Sequence, residues 1–81
     1  MNDQEIRAGV VACIRSIAPE VDADDLAPDR PLRMQVDLDA MDWLNVILAL
    51  DQRFGVPIPE ADYPKLTTLD AIVHYLADRS R

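Results

Sequence analysis

Apolar residues recur at helical spacing in three stretches of the chain. In the first stretch they follow steps of three and four, which predicts a helix with one buried face. These positions are Ile6, Val10, Cys13, Ile14 and Ile17. Asn2 or Asp3 can cap this helix, which is predicted to end near Ile17. Gly9 lies inside it at a cost of about 1 kcal/mol relative to Ala, which indicates close packing against another element.

A second helix is predicted from its N-cap, Asp39, to Phe54, with Gly55 as the residue that ends it. At about 100° per residue, the stripe expected in the core contains Trp43, Val46, Ile47, Leu50 and Phe54. A second apolar stripe contains Met41, Leu44 and Leu48. The two stripes together span about 220°, interrupted only by Asp51, whereas a surface helix needs about 100°.

The second stripe has two explanations. Either the long loop before this helix covers it, or Met41, Leu44 and Leu48 face a partner or line the mouth of a ligand cavity. Exposed apolar patches on small soluble domains commonly have a function, and Met suits adaptable surfaces. The sequence leaves both explanations open.

After the second helix, the chain predicts an extended segment and a last helix. Residues 56–59 are extended, and Glu60 to Tyr63 can form one helical turn before Pro64. Thr67 and Asp70 resemble a capping box. The buried face of the last helix is expected to contain Leu69, Ile72, Val73 and Leu76.

A long connection without helical periodicity, from Ala18 to Leu38, joins the first two helices. Its three prolines and six acidic residues supply turn chemistry. Its apolar residues are predicted to pin it onto the core: Val21, Leu26, Leu32, Met34, Val36 and Leu38. Since no strand pattern competes, residues 1–81 are predicted to form one all-α domain, a small helix bundle.

The net charge of the chain narrows the class of partner that it is expected to bind. Eight Lys and Arg against fifteen Asp and Glu give a net charge of −7. Nucleic acids and anionic membranes are bound through basic residues, so the balance argues against both and favours a partner with a basic face. No apolar run reaches the roughly 18–20 residues of a membrane span. We therefore expect a cytoplasmic monomer.

Other chemistry finds little support in the residues. Asp37, Asp39 and Asp42 lack the spacing and central Gly of a calcium-binding loop. Cys13 and His74 are too few for a zinc site, and Cys13 is expected to be a buried structural thiol. The residues predict neither a metal site nor a catalytic residue.

Four short motifs follow one another from Asp37 to Leu76. They are residues 37–42 (DLDAMD), 50–59 (LDQRFGVPIP), 66–69 (LTTL) and 75–76 (YL). The same order and spacing, with an Asp-Ser-Leu/Met-Asp motif at the start of the second helix, is typical of the acyl carrier protein family. The chain resembles this family over essentially its whole length.

The resemblance implies a four-helix bundle with a long loop between its first two helices and a short third helix, matching Glu60 to Tyr63. It implies a 4′-phosphopantetheine arm, joined by a phosphodiester to the motif serine, whose thiol carries acyl groups between enzymes of fatty acid, polyketide or other acylation routes. The implied partners are a phosphopantetheinyl transferase and acyl-transferring or acyl-activating enzymes with basic docking faces. A member of the family is not itself an enzyme.

The chain departs from the family at the attachment position, where Ala40 has no hydroxyl to modify. Ser16 and Ser80 lie in or near the terminal helices, far from the motif in sequence. We favour an engineered serine-to-alanine change, because the acidic motif around Ala40 is otherwise intact. One alternative is a natural, non-carrying adaptor that docks on the same enzymes, and another is an enzyme subunit whose site a partner completes.

The resemblance centres the candidate site on position 40. In a serine form, Asp39 would cap the helix beside the arm and Met41 would follow it. The candidate docking surface consists of Asp39, Met41, Asp42, Leu44, Leu48 and Asp51. The combined field of its carboxylates would raise the association rate more than the affinity.

Overall fold

The computed structural model describes residues 2–80, and in this part of the chain it is helical without β-strands. Its α-helices are α1 (Asp3–Ile17), α2 (Leu32–Gln35), α3 (Ala40–Phe54) and α4 (Leu69–Arg79). Two 3₁₀-helices lie at Ala23–Asp25 and Glu60–Lys65. The predicted all-α class is confirmed. None of the helices within residues 2–80 has the length and apolar character needed to cross a membrane.

Helix α3 is the second helix predicted from the sequence, and the ends of α1 and α3 lie where the sequence predicted them. At the start of α1, the Asn2 side chain accepts a hydrogen bond from the backbone N–H of Glu5 at 2.8 Å, and the Glu5 carboxylate accepts one from the Asn2 N–H at 3.4 Å. This capping box satisfies two of the N–H groups that a helix leaves without partners. Gly55 ends α3 with a φ of 63°, a left-handed conformation that glycine adopts without strain.

The core forms where α1 packs against both α3 and α4. The apolar positions predicted for the inner face of α4 are all buried, and Tyr75 is buried with them. Trp43 and Phe54 of α3 are half-buried and pack against the core. The largest fully buried side chains are Ile6, Val10, Ile14, Leu32, Val46, Ile47, Leu50, Leu66, Ile72 and Leu76.

Gly9 lies at the contact between α1 and the last turn of α3. A Cβ atom at this position would lie 2.6 Å from Cζ of Phe54 and 3.0 Å from Nε of Arg53. The first distance is far below van der Waals contact, so an alanine would force the Phe54 ring to move. The close approach of the two helices therefore explains a glycine in the middle of α1.

The connection between α1 and α3 contains more helix than its lack of periodicity suggested. It includes the 3₁₀-helix Ala23–Asp25 and the short helix α2. In α2, Leu32 and Val36 are four residues apart and both are buried, as Leu26 and Leu38 are. Met34 lies about 200° around the helix from Leu32 and is 83% exposed. The prediction that Met34 pins the loop onto the core is wrong.

Gln35 holds this connection together through its side-chain amide. Its Oε1 accepts a hydrogen bond from the N–H of Ala27 at 2.6 Å. Its Nε2 donates to the carbonyl oxygens of Ala27 at 2.9 Å and Arg30 at 3.0 Å. These bonds tie residues 27–30 to α2 and satisfy backbone groups that no regular helix pairs.

The start of α4 lies one residue later than the predicted capping box. Thr68 is the N-cap, and its hydroxyl accepts a hydrogen bond from the N–H of Ala71 at 3.0 Å. Thr67 instead accepts a hydrogen bond at its carbonyl oxygen from the N–H of Leu32 at 2.8 Å. The prediction of a Thr67–Asp70 capping box is wrong. The carbonyl oxygen of an N-cap residue accepts the first hydrogen bond of its helix, whereas that of Thr67 accepts one from the long connection.

The 3₁₀-helix Glu60–Lys65 continues through Pro64. The sequence predicted that this turn ends before Pro64. Proline has a helix-compatible φ and lacks only its own N–H donor. A short 3₁₀ segment depends on few such bonds, and the N–H of Leu66 still donates to Tyr63 at 3.0 Å. The predicted turn over Glu60 to Tyr63 is therefore confirmed but too short.

Asp62 fastens this 3₁₀-helix to α4. Its carboxylate accepts a hydrogen bond from the Tyr75 hydroxyl at 2.6 Å and pairs with Lys65 at 3.1 Å and Arg79 at 3.4 Å. The Arg79 guanidinium lies 3.9 Å from the centroid of the Tyr75 ring. The Tyr75 hydrogen bond and the two cations lower the pKa of Asp62, while burial and Asp62 raise the pKa of Tyr75.

Gly9→Ala is expected to destabilise the fold by about 1 kcal/mol. Overpacking costs roughly 1–3 kcal/mol, which exceeds the gain of roughly 1 kcal/mol from the helix propensity of alanine. In a Phe54→Ala background the clash with the ring is absent and only the flexible Arg53 side chain lies close to the new Cβ, so the same substitution should be neutral or stabilising. Urea unfolding of the four proteins in this double-mutant cycle measures the difference. If Gly9→Ala changed the free energy of unfolding equally in both backgrounds, the result would contradict the close approach of Gly9 to the Phe54 ring.

Asp62→Asn is expected to flatten the acid limb of the stability curve. The pKa of Asp62 is lower in the folded chain than the value of about 3.9 for a free aspartate, so its network stabilises the fold above that value. The contribution is lost as the pH falls through the lower folded pKa. Thermal unfolding midpoints between pH 7 and pH 2 test this. Asp29→Asn, the same change at an exposed carboxylate outside this network, should keep the wild-type slope.

Candidate functional site

Position 40 lies at the N-terminus of α3, inside a capping box. Asp39 is the N-cap, and its carboxylate accepts a hydrogen bond from the N–H of Asp42 at 2.8 Å. The Asp42 carboxylate accepts one from the N–H of Asp39 at 3.4 Å. Ala40 is the first helical residue and its side chain is exposed. The two aspartates thus fix the first turn of α3 around an exposed methyl group.

Three apolar side chains of α3 extend into solvent, and we call them the apolar patch. Met41 is 72% exposed, Leu48 53% and Leu44 43%. At about 100° per residue, Met41 and Leu48 lie roughly opposite the buried Leu50. The long connection does not cover them, so of the two explanations the sequence left open, the structure excludes the first.

Met34 is a fourth exposed apolar side chain, carried by α2, and sequence reasoning missed it. The signal that could have found it is the pair Leu32 and Val36, four residues apart in a segment without proline. Such a pair predicts one helical turn with both residues on the buried face. Met34 would then have been placed on the outer face.

The chain around the apolar patch is acidic and contains no base. Residues 34–52 include four aspartates and neither Lys nor Arg. Asp37 and Asp39 are exposed, whereas Asp42 and Asp51 are half-buried. Within residues 2–80, none of these four carboxylates takes part in an ion pair. Arg33 and Arg53 flank this segment in the sequence, so its negative charge is concentrated between them but not held in ion pairs.

The other reactive groups do not form a site. Cys13 is buried in α1, and burial raises the pKa of its thiol against the opposing effect of Arg53, which disfavours the reactive thiolate. His74 is exposed on α4. Among the described residues, no three His, Cys, Asp or Glu side chains are arranged to hold a metal ion.

Position 40 does not fit the phosphopantetheine group that the resemblance implies. The Ala40 side chain is a methyl group and offers no oxygen for a phosphodiester. The hydroxyl of Ser16 donates to the carbonyl of Cys13 within α1 at 2.6 Å, and Ser80 is the C-cap of α4. Neither serine lies on α3.

Asp39→Ala is expected to lower the free energy of unfolding by about 1 kcal/mol, because it removes the N-cap of α3. Asp37→Ala makes the same charge change two residues away, at an exposed carboxylate, and should have little effect. Asp39→Asn should retain most of the stability, since Asn is also a good N-cap. Urea unfolding of the three variants measures the ranking, and equal losses in Asp37→Ala and Asp39→Ala would contradict it.

Comparison with known proteins places the chain in a family. The sequence model described as the phosphopantetheine attachment site matches residues 8–76. The acyl carrier protein of Acidothermus cellulolyticus is 27% identical over 78 residues, which cover 96% of this chain and 92% of that relative. The acyl carrier protein of Thermosynechococcus vestitus is 28% identical over 79 residues, which cover 98% of this chain and 96% of that relative.

A comparison with solved structures leads to the same family. The solution structure of a protein from Anaplasma phagocytophilum, provisionally assigned as an acyl carrier protein, matches with a TM-score of 0.85 at 28% identity. The match covers 100% of this chain and 94% of that one. The chain therefore belongs to the acyl carrier protein family, whose members are non-catalytic carriers, and it is not an enzyme.

Proposed function

We propose that the chain is an acyl carrier protein locked without its arm, in which Ala40 occupies the attachment position. The observation that supports this is the capping box of Asp39 and Asp42 around an exposed methyl at the first residue of α3. A serine would place one oxygen on that methyl carbon, in solvent and at the positive end of the helix dipole. Such a position favours a phosphate.

The residues around position 40 have distinct roles in the proposed serine form. Asp39 caps the helix beside the attachment position, and Met41, Leu44 and Leu48 contact partners or guide the acyl chain. The carboxylates of Asp39, Asp42 and Asp51 face basic docking surfaces. A transferase that adds the arm and the acyl-transferring or acyl-activating enzymes are the partners of such a monomer. Fatty acid and polyketide synthesis are both compatible contexts.

A non-carrying adaptor is the second candidate function. The observations that favour it are the exposed apolar patch and the four aspartates without ion pairs, which are present although position 40 has no hydroxyl. An engineered alanine and a natural loss of the serine lead to the same surface. The adaptor differs from the carrier only in whether a serine at position 40 makes the chain competent.

Ala40→Ser is expected to convert the chain into a substrate for arm attachment. Incubation with coenzyme A and a broadly tolerant phosphopantetheinyl transferase should add the mass of one phosphopantetheine group per chain. The Ala40 chain is the matched negative control, and Ser16→Ala in the Ala40→Ser background should be modified equally well. A folded Ala40→Ser protein that gains no mass would count against the carrier function and favour the adaptor.

A further inference from the structure

We infer that the Ala40 chain is a dead-end competitor, which occupies the docking site of a phosphopantetheinyl transferase and so slows modification of serine-bearing acyl carrier proteins. The inference rests on the proposed docking surface. It adds an activity of this chain as it stands, without any substitution at position 40. Three features of α3 carry it.

The first feature is the small size of the change at position 40. Ala40 differs from serine by one oxygen atom, and its side chain is exposed rather than packed. Loss of that oxygen leaves the capping hydrogen bonds of Asp39 and Asp42 in place. The reacting hydroxyl matters most in the transition state, so binding of the surrounding surface should survive without it.

The second feature is the apolar patch with its acidic border. Met41, Leu44 and Leu48 are large side chains held on a rigid helix, 43–72% exposed. Apolar anchors within a polar rim are typical of protein docking surfaces. The four aspartates of residues 34–52 have no cation between them in the sequence. This negative field selects an occupant with a basic face and raises its association rate.

The third feature is the absence of an acceptor atom. A bound serine-bearing chain leaves as product, whereas a bound Ala40 chain has no oxygen to accept the arm and leaves only by dissociation. A competitor of this kind blocks the acceptor site without altering the enzyme's chemistry. It should therefore raise the apparent KM for the acceptor and leave kcat unchanged.

The experiment measures transfer of a labelled phosphopantetheine from a coenzyme A analogue to a serine-bearing acyl carrier protein, with the Ala40 chain titrated in. The apparent KM of the acceptor should rise about twofold when the Ala40 chain is at its inhibition constant. That constant should lie within about threefold of the dissociation constant of the Ala40→Ser chain from the transferase, measured without coenzyme A. Inhibition should weaken as ionic strength rises.

Matched variants locate the surface. Leu48→Gln and Asp51→Asn should each raise the inhibition constant, with about fivefold expected for Leu48→Gln. His74→Gln on α4 and Asp29→Asn in the long connection alter exposed residues elsewhere and should inhibit as strongly as the unsubstituted chain. Circular dichroism spectra of all four should be the same, since none removes a buried side chain. Unchanged inhibition by Leu48→Gln and Asp51→Asn would overturn the assigned surface.

The outcomes separate this inference from the proposed function. If Ala40→Ser accepts the arm but the Ala40 chain fails to inhibit at tenfold excess over the acceptor's KM, the inference is overturned and the carrier function stands. If Ala40→Ser gains no arm but the Ala40 chain inhibits competitively, the carrier function is overturned and the inference stands. Failure of both assays rejects both.

Discussion

The packing of α1 across the last turn of α3 decides which side of α3 is available to a partner. Because Gly9 has no Cβ, the Phe54 ring lies in the space that a side chain would fill. This contact, together with the buried Val46, Ile47 and Leu50, fixes the rotation of α3 about its own axis. Once that face is buried, the residues half a turn away can only point outward.

The exposed apolar patch is therefore a consequence of core packing and not a failure of it. Met41 and Leu48 lie opposite the buried face, where a helix evolved only for stability would carry polar side chains. Nearby polar contacts that serve the fold are satisfied: Gln35 binds three backbone groups, and Asp62 joins the 60–65 helix to α4. The carboxylates of Asp37 and Asp51 have no such use within the described residues. Apolar exposure and carboxylates without an ion pair thus coincide on α3 and in the residues just before it.

With Ala40 in place of the attachment serine, the surface around position 40 and the ability to carry an arm no longer occur together. The shape and charge of the proposed docking surface depend on α3, its cap and the side chains along it. The ability to carry depends on one oxygen atom at the first helical residue. Because the Ala40 side chain is exposed and the capping hydrogen bonds come from Asp39 and Asp42, an alanine here removes the attachment chemistry without disturbing the first turn of α3. The proposed competition for a transferase depends on this separation.

Elements whose signals are local could be predicted from the amino-acid sequence. The main helices and their buried faces follow from the three-and-four spacing of apolar residues. Their ends follow from the caps at Asn2 and Asp39 and from the glycine at position 55. The family motifs placed position 40 at the start of α3. Local signals misplaced the start of α4, because Thr67 is used by a loop distant in sequence. They also assigned Met34 to the core, because the spacing of Leu32 and Val36 had not been interpreted as one helical turn.

Whether another part of the chain covers the second stripe of α3 could not be predicted from local signals, because it depends on long-range packing. Periodicity reports the angle of each side chain around its own helix and not what lies against it. Coverage depended on where the long connection packs, and its backbone is held to the start of α4 through Thr67 and to itself through Gln35. The same long-range packing explains Gly9, whose reason lies in a ring 45 residues further along the chain.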